Sequence, residues 1–135
     1  MNSSCESSFR FTSVFARTEA ARGRLVCVFE PRSFTSRTRL FQEDYARALA
    51  LADRVLLAAV HLPERVPEER RLSEPDLVDS IRAQGTEAEF VPTVDEIVSR
   101  LTATLRPGDR VAILSNGGFG GIHERLLEAL ETARR

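Results

Sequence analysis

The sequence predicts an α/β domain, a small doubly wound, mostly parallel sheet with helices on both faces. Three observations carry this expectation. Apolar, β-rich runs of four to six residues recur along the chain. Stretches of helical periodicity separate them. The connections are short, as right-handed strand–helix–strand crossovers require. The first of the runs, Leu25–Phe29, is continuous, as expected for a strand buried on both faces.

Residues 1–12 are serine-rich and read as an irregular tail, and residues 13–22 as a short helix stopped by Gly23. The folded domain is therefore expected over 24–135, after a tail of 1–23. Leu25-Val26-Cys27-Val28-Phe29 is the first strand. Thr35 or Ser36 can cap a helix over 37–52, whose Leu40, Phe41, Tyr45, Ala48, Leu49 and Ala52 share one stripe. Residues 55–60 form the second strand, and 61–72 a polar, proline-marked loop. Ser73 caps the next helix, Pro75 fits its first turn, Leu77, Val78 and Ile81 face inward, and Gly85 ends it. Residues 88–91 are a short third strand. Thr93-Val94-Asp95-Glu96 is a capping box, opening a helix that carries Val94, Ile97, Val98, Leu101 and Leu105 and closes at Pro107-Gly108. Residues 110–114 are the fourth strand. A glycine-rich turn over 115–121 leads into a last helix bearing Ile122, Leu126, Leu127 and Leu130.

Composition narrows the function classes. A chain of 135 residues suits one domain, large enough to fold without a disulfide or metal. Hydrophobic content of 42%, charged content of 29% and a net charge of −1 describe an ordinary globular domain, with no global field for nucleic acid or an acidic membrane. All 19 basic residues are arginine, which excludes a phosphate-gripping lysine, a Schiff base and the lysine of a phospho-receiver. Cys27 sits in an apolar run and reads as a buried small hydrophobe; Cys5 sits in the polar tail. With no disulfide framework, zinc spacing, signal-peptide start or membrane-length stretch, a reducing cytoplasm is expected. His61 has no nearby cysteine or histidine, so no metal site is expected there.

In doubly wound sheets ligands sit beyond the carboxyl ends of the strands. Two loops fall there. Glu30-Pro31-Arg32-Ser33-Phe34-Thr35-Ser36-Arg37 combines two arginines, three hydroxyls and a helix N-terminus, a set that suits an anion; a plain helix cap with exposed arginines is the other reading. Ser115-Asn116-Gly117-Gly118-Phe119-Gly120-Gly121 holds four glycines in five positions. A tight turn needs one or two; four favour a ligand or partner domain against the backbone. The spacing is neither a dinucleotide fingerprint nor a phosphate loop. His123, in the first turn of the last helix, reads either as a packing or as a functional histidine.

At these two loops the sequence resembles the C-terminal domain of the Mur ligase family. The likeness rests on Val28-Phe29-Glu30-Pro31-Arg32-Ser33, on Thr35-Ser36-Arg37 and on Ser115 to His123, and it runs from about residue 24 to the C-terminus. It is strongest to the branch that joins murein peptides in peptidoglycan recycling. The resemblance implies a third domain that closes on substrate, alongside a UDP-sugar domain and a central ATPase domain. It implies ATP and magnesium for the whole enzyme, none bound by this chain alone, and a murein tripeptide as substrate. By that analogy Asn116, Gly117 and Gly118 meet the peptide, Arg32, Ser33, Thr35, Ser36 and Arg37 serve nucleotide or peptide carboxylate, His123 joins them, and no residue here is catalytic. Two departures stand out. Phe34 replaces an expected asparagine, and the family's acidic, double-histidine, proline motif is missing, the histidines being only His61 and His123. The chain is thus expected to be a ligase fragment without the ATPase core. The alternative is a stand-alone or relic α/β small-molecule-binding module.

Overall fold

The computed structural model describes residues 23–32, 35–115 and 119–134; the expected tail and first helix lie outside them. Among the described residues four strands form one sheet: β1 (Leu25–Phe29), β2 (Arg54–Leu57), β3 (Glu87–Phe90) and β4 (Arg110–Leu114). Their order is β3-β2-β1-β4, and every neighbouring pair is parallel. Helices α1 (Gln42–Leu49), α2 (Glu74–Ala83), α3 (Val94–Thr104) and α4 (Ile122–Arg134) cover it. None of the described helices is long and apolar enough to cross a membrane.

The apolar runs explain the two-sided cover. All five residues of β1 are buried. Successive side chains point to opposite faces, so the core divides in two. Leu25, Cys27, Phe29, Val55 and Leu57 pack with Ala46, Leu49, Leu77, Val78 and Ile81 from α1 and α2. Val26, Val28 and Leu56 pack with Ile97, Leu101, Ile122 and Leu126 from α3 and α4. Burial pushes the Cys27 thiol up to about 12, so it stays a packing group.

Local capping sets the helix starts. The Ser73 hydroxyl accepts from Asp76 N–H at 3.3 Å. That of Thr93 accepts from Glu96 N–H at 3.2 Å and donates to the Glu96 carboxylate at 2.9 Å. Thr93→Ala should therefore cost about 1 kcal/mol, read as a lowered urea midpoint. An unchanged midpoint would show that the cap contributes nothing in solution.

The helix expected over 37–52 is shorter, with α1 occupying only Gln42–Leu49. The segment before it is claimed by tertiary bonds. Residues Thr35–Arg37 make a 3-10 turn, and Thr38 bridges Arg71 in antiparallel fashion. Arg39 N–H donates to Arg70 O and Leu72 N–H to Arg37 O, both at 2.9 Å. Leu40 and Phe41, expected inside, are 75% and 42% exposed as a result. Leu127 is also exposed, because it stands about 100° round α4 from buried Leu126. β2 pairs only to Leu57, although Ala58 and Val60 remain buried beyond it.

At the amino ends of the strands, charged pairs close the sheet. Arg24 Nη2 donates to Asp109 Oδ2 at 2.7 Å, and this bond holds the Asp109 carboxyl below the usual carboxylate range. Buried Arg54 donates to Glu89 Oε2 at 2.6 Å and to Thr104 Oγ1 at 2.5 Å.

Candidate functional site

β1 and β4 are neighbours, yet the chain leaves them toward opposite faces. From β1 it runs to the layer of α1 and α2; from β4 it runs to the layer of α3 and α4. This is the topological switch point of the sheet, where a crevice opens outside the carboxyl ends of the two strands.

A polar network crosses that edge. Glu30 N–H donates to Leu114 O at 3.0 Å, carrying the β1–β4 ladder one residue past the strands. Ser115 Oγ donates to Glu30 Oε1 at 2.6 Å. The same carboxylate oxygen lies 3.7 Å from Arg32 Nη1. Arg32 Nη1 is in turn 3.5 Å from His61 Nδ1. His61 N–H donates to Pro31 O at 3.0 Å, and Arg37 Nη1 donates to His61 O at 3.1 Å. The ends of β4, β1 and β2 are thereby joined side by side. The network brings two guanidiniums, whose forks match a carboxylate in geometry, to one edge.

The expected site residues distribute unevenly. Arg32 and Arg37 come together around His61. Thr35 opens the 3-10 turn. Ser36 is 1% exposed, so a ligand would reach it only if that turn rearranged. His123 is exposed in the first turn of α4. Among the described residues no hydrogen bond links it to the arginines. Ser33, Phe34, Asn116, Gly117 and Gly118 lie outside the described residues. Both flanks of the glycine segment are described. Ser115 is at the Glu30 latch, and Phe119 is 2% exposed in the core with α3 and α4. Phe119, Gly120 and Gly121 all have positive φ, of 48°, 59° and 69°. The two glycines take that conformation freely; the phenylalanine holds it at a cost, anchored by its burial.

The helix N-terminus expected behind Arg32 is not there. α1 begins five residues after Arg37, with Glu43 and Asp44 in its first turn. The guanidiniums are therefore the groups that an anion at this edge would meet. Glu30, His61 and Ser115 are the members of the network to which the sequence assigned no role. Glu30 had a signal, an acidic residue directly at a strand end. His61 had none, because its partners are 24 and 29 residues away.

A second cleft, of about 430 Å³, lies at the opposite edge and is lined by Arg24, Arg54, Glu87 and residues 103–106. Its Arg24 and Arg54 are already matched by Asp109 and Glu89. Among the described residues no group of three or more His, Cys, Asp or Glu could hold a metal ion.

Comparison with known proteins agrees with this architecture. The family model described as Mur ligase, glutamate ligase domain, matches residues 7–117. The UDP-N-acetylmuramate--L-alanyl-gamma-D-glutamyl-meso-2,6-diaminoheptandioate ligase of Escherichia coli (strain K12) is 35% identical over 126 residues, 88% of this chain and 25% of that protein. The UDP-N-acetylmuramate--L-alanine ligase of Desulfitobacterium hafniense (strain Y51) is 30% identical over 118 residues, 87% of this chain and 26% of that protein. Among solved structures, a murein peptide ligase from Psychrobacter arcticus 273-4 superposes with a TM-score of 0.72 at 27% identity, over 96% of this chain and 26% of that one. A domain from a proposed UDP-N-acetylmuramate:L-alanyl-gamma-D-glutamyl-meso-diaminopimelate ligase of Haemophilus ducreyi 35000HP gives 0.64 at 25% identity, over 96% and 86%. The chain spans about a quarter of the length of the curated relatives it matches.

Proposed function

This chain belongs to the Mur ligase family, whose glutamate ligase domain it matches, and we propose that it is the substrate-binding, closing domain of an ATP-dependent ligase joining a murein tripeptide to UDP-N-acetylmuramate in the cytoplasm. The observation that carries this reading is the Glu30–Arg32–His61–Arg37 network at the switch point, beside the base of the glycine segment. The peptide named for the Escherichia coli relative ends in a diaminoheptandioate, a dicarboxylic acid. Carboxylates match guanidinium forks in geometry as well as charge.

Nothing among the described residues supplies a magnesium site. The chain has no lysine and no phosphate loop, and its described residues hold no metal-ligating cluster. ATP and magnesium are assigned to a separate ATPase domain, and the UDP-sugar to another. This domain's own residues bind the peptide's carboxylates, orient its amine and exclude water on closure. Exposed Leu40, Phe41 and Leu62, on the segments that carry the network, supply apolar surface to bury when it closes.

Arg32→Ala tests the reading. In calorimetric titration with L-alanyl-γ-D-glutamyl-meso-diaminopimelate, affinity should fall about 30-fold, near 2 kcal/mol for a lost charge-assisted bond. Unchanged affinity, with the fold intact, would leave a small-molecule-binding module of another kind.

A further inference from the structure

We infer that His61 is a positioning residue of this site: it fixes Arg32 and Arg37 as a pair, so that Arg32 presents its remaining N–H edge to a peptide carboxylate. The inference rests on the ligase reading for the identity of the ligand.

Three bonds place His61 between the two arginines. Its N–H donates to Pro31 O at 3.0 Å, next to Arg32 in sequence. Its carbonyl accepts from Arg37 Nη1 at 3.1 Å. Its ring Nδ1 faces Arg32 Nη1 at 3.5 Å. Arginine has five N–H donors and no acceptor. A hydrogen bond between them requires a bare Nδ1, with the ring hydrogen on Nε2.

Among the described residues, the contacts of the Arg32 side chain converge on one atom. Nη1 lies between His61 Nδ1 and Glu30 Oε1, at 3.5 and 3.7 Å. A guanidinium is a rigid planar fork, so holding Nη1 orients the edge formed by Nε and Nη2. That edge is the one a carboxylate takes in a two-point contact. The side chain is 33% exposed, which leaves it within reach of a ligand.

The backbone after His61 is strained to keep it there. Leu62 has φ 47° and ψ 60°, the left-handed region, and it is 39% exposed. An exposed leucine gains nothing from that conformation, which L side chains rarely adopt. Pro63 follows at once and opens a 3-10 turn. The chain thus reverses sharply at the single point that leaves His61 under the arginines.

The test compares His61→Leu with His61→Asn in the full chain, titrated with L-alanyl-γ-D-glutamyl-meso-diaminopimelate and followed by NMR. Leucine keeps bulk without an acceptor; asparagine puts an oxygen close to the position of Nδ1. We expect His61→Leu to weaken binding about 10-fold and His61→Asn to stay within about 3-fold of the starting chain, as befits loss and rescue of one hydrogen bond to a charged group. In the Arg32→Ala background, His61→Leu should cause no further loss, because the two act as a unit. Equal losses in both His61 variants, or no loss in either, would overturn the inference.

Imidazole 15N spectra of the free chain provide an arm that needs no peptide. The Nε2–H tautomer, already favoured in free histidine, should be held more completely here, and Arg32→Ala should relax it toward the free balance. A tautomer balance that Arg32→Ala leaves unchanged overturns the inference, whatever the titration shows. If the tautomer responds as expected but the starting chain does not bind the peptide, the ligase reading falls while the pairing of His61 with Arg32 stands; if the starting chain binds and Arg32→Ala binds equally well, the inference falls.

Discussion

Leu56→Ala and Leu57→Ala should each destabilise the chain by about 3–4 kcal/mol, the usual loss for a fully buried leucine whose cavity cannot collapse. The two residues are adjacent in β2 and both are 0% exposed. They point in opposite directions, Leu56 into the core with α3 and α4 and Leu57 into the core with α1 and α2. In a sheet covered on one side, one of two adjacent substitutions would be nearly free. Urea denaturation of both variants therefore tests the double cover directly. A small loss at either position would mean that one helical layer does not pack in solution.

Gly23→Ala should cost about 2–3 kcal/mol, from a backbone clash added to left-handed strain. Gly23 has φ 129°, and a Cβ there would lie 2.5 Å from the carbonyl oxygen of Gly108 and 2.9 Å from its carbon. Backbone atoms cannot rotate away, so the two segments must separate. They meet where the β1–β4 pairing begins: Arg110 N–H donates to Arg24 O at 2.8 Å, beside the Arg24–Asp109 ion pair. Gly85→Ala is the matched control. Gly85 has φ 92° but nothing within 4 Å of its added Cβ, so only the strain of about 1 kcal/mol remains. Equal thermal shifts for the two variants would refute the clash.

The strands and caps were legible in the sequence because their signals are local. Leu25–Phe29 is an unbroken apolar run, Val111 to Leu114 is another, and Ser73 and Thr93 carry their own cap acceptors. The helix expected over 37–52 overran because Thr38 and Arg39 bond to Arg71 and Arg70, more than thirty residues on, and no periodicity encodes that. Arg54 misled in a similar way. A charged residue reads as a strand boundary, yet here it is buried as the first residue of β2, with Glu89 as its partner. The arginine loop was visible from composition and the strand-end rule. The role of His61 was not, since it depends on the neighbouring order of β2 and β1 in space.

The split exit of the chain from β1 and β4 bears on how such a domain can diverge. The loop after β1 feeds only the layer of α1 and α2, and the loop after β4 only that of α3 and α4. An insertion or deletion in one wall of the crevice is absorbed by its own layer and leaves the other wall in register. Recognition of a new substrate can then be acquired one wall at a time, without passing through a misfolded intermediate sequence.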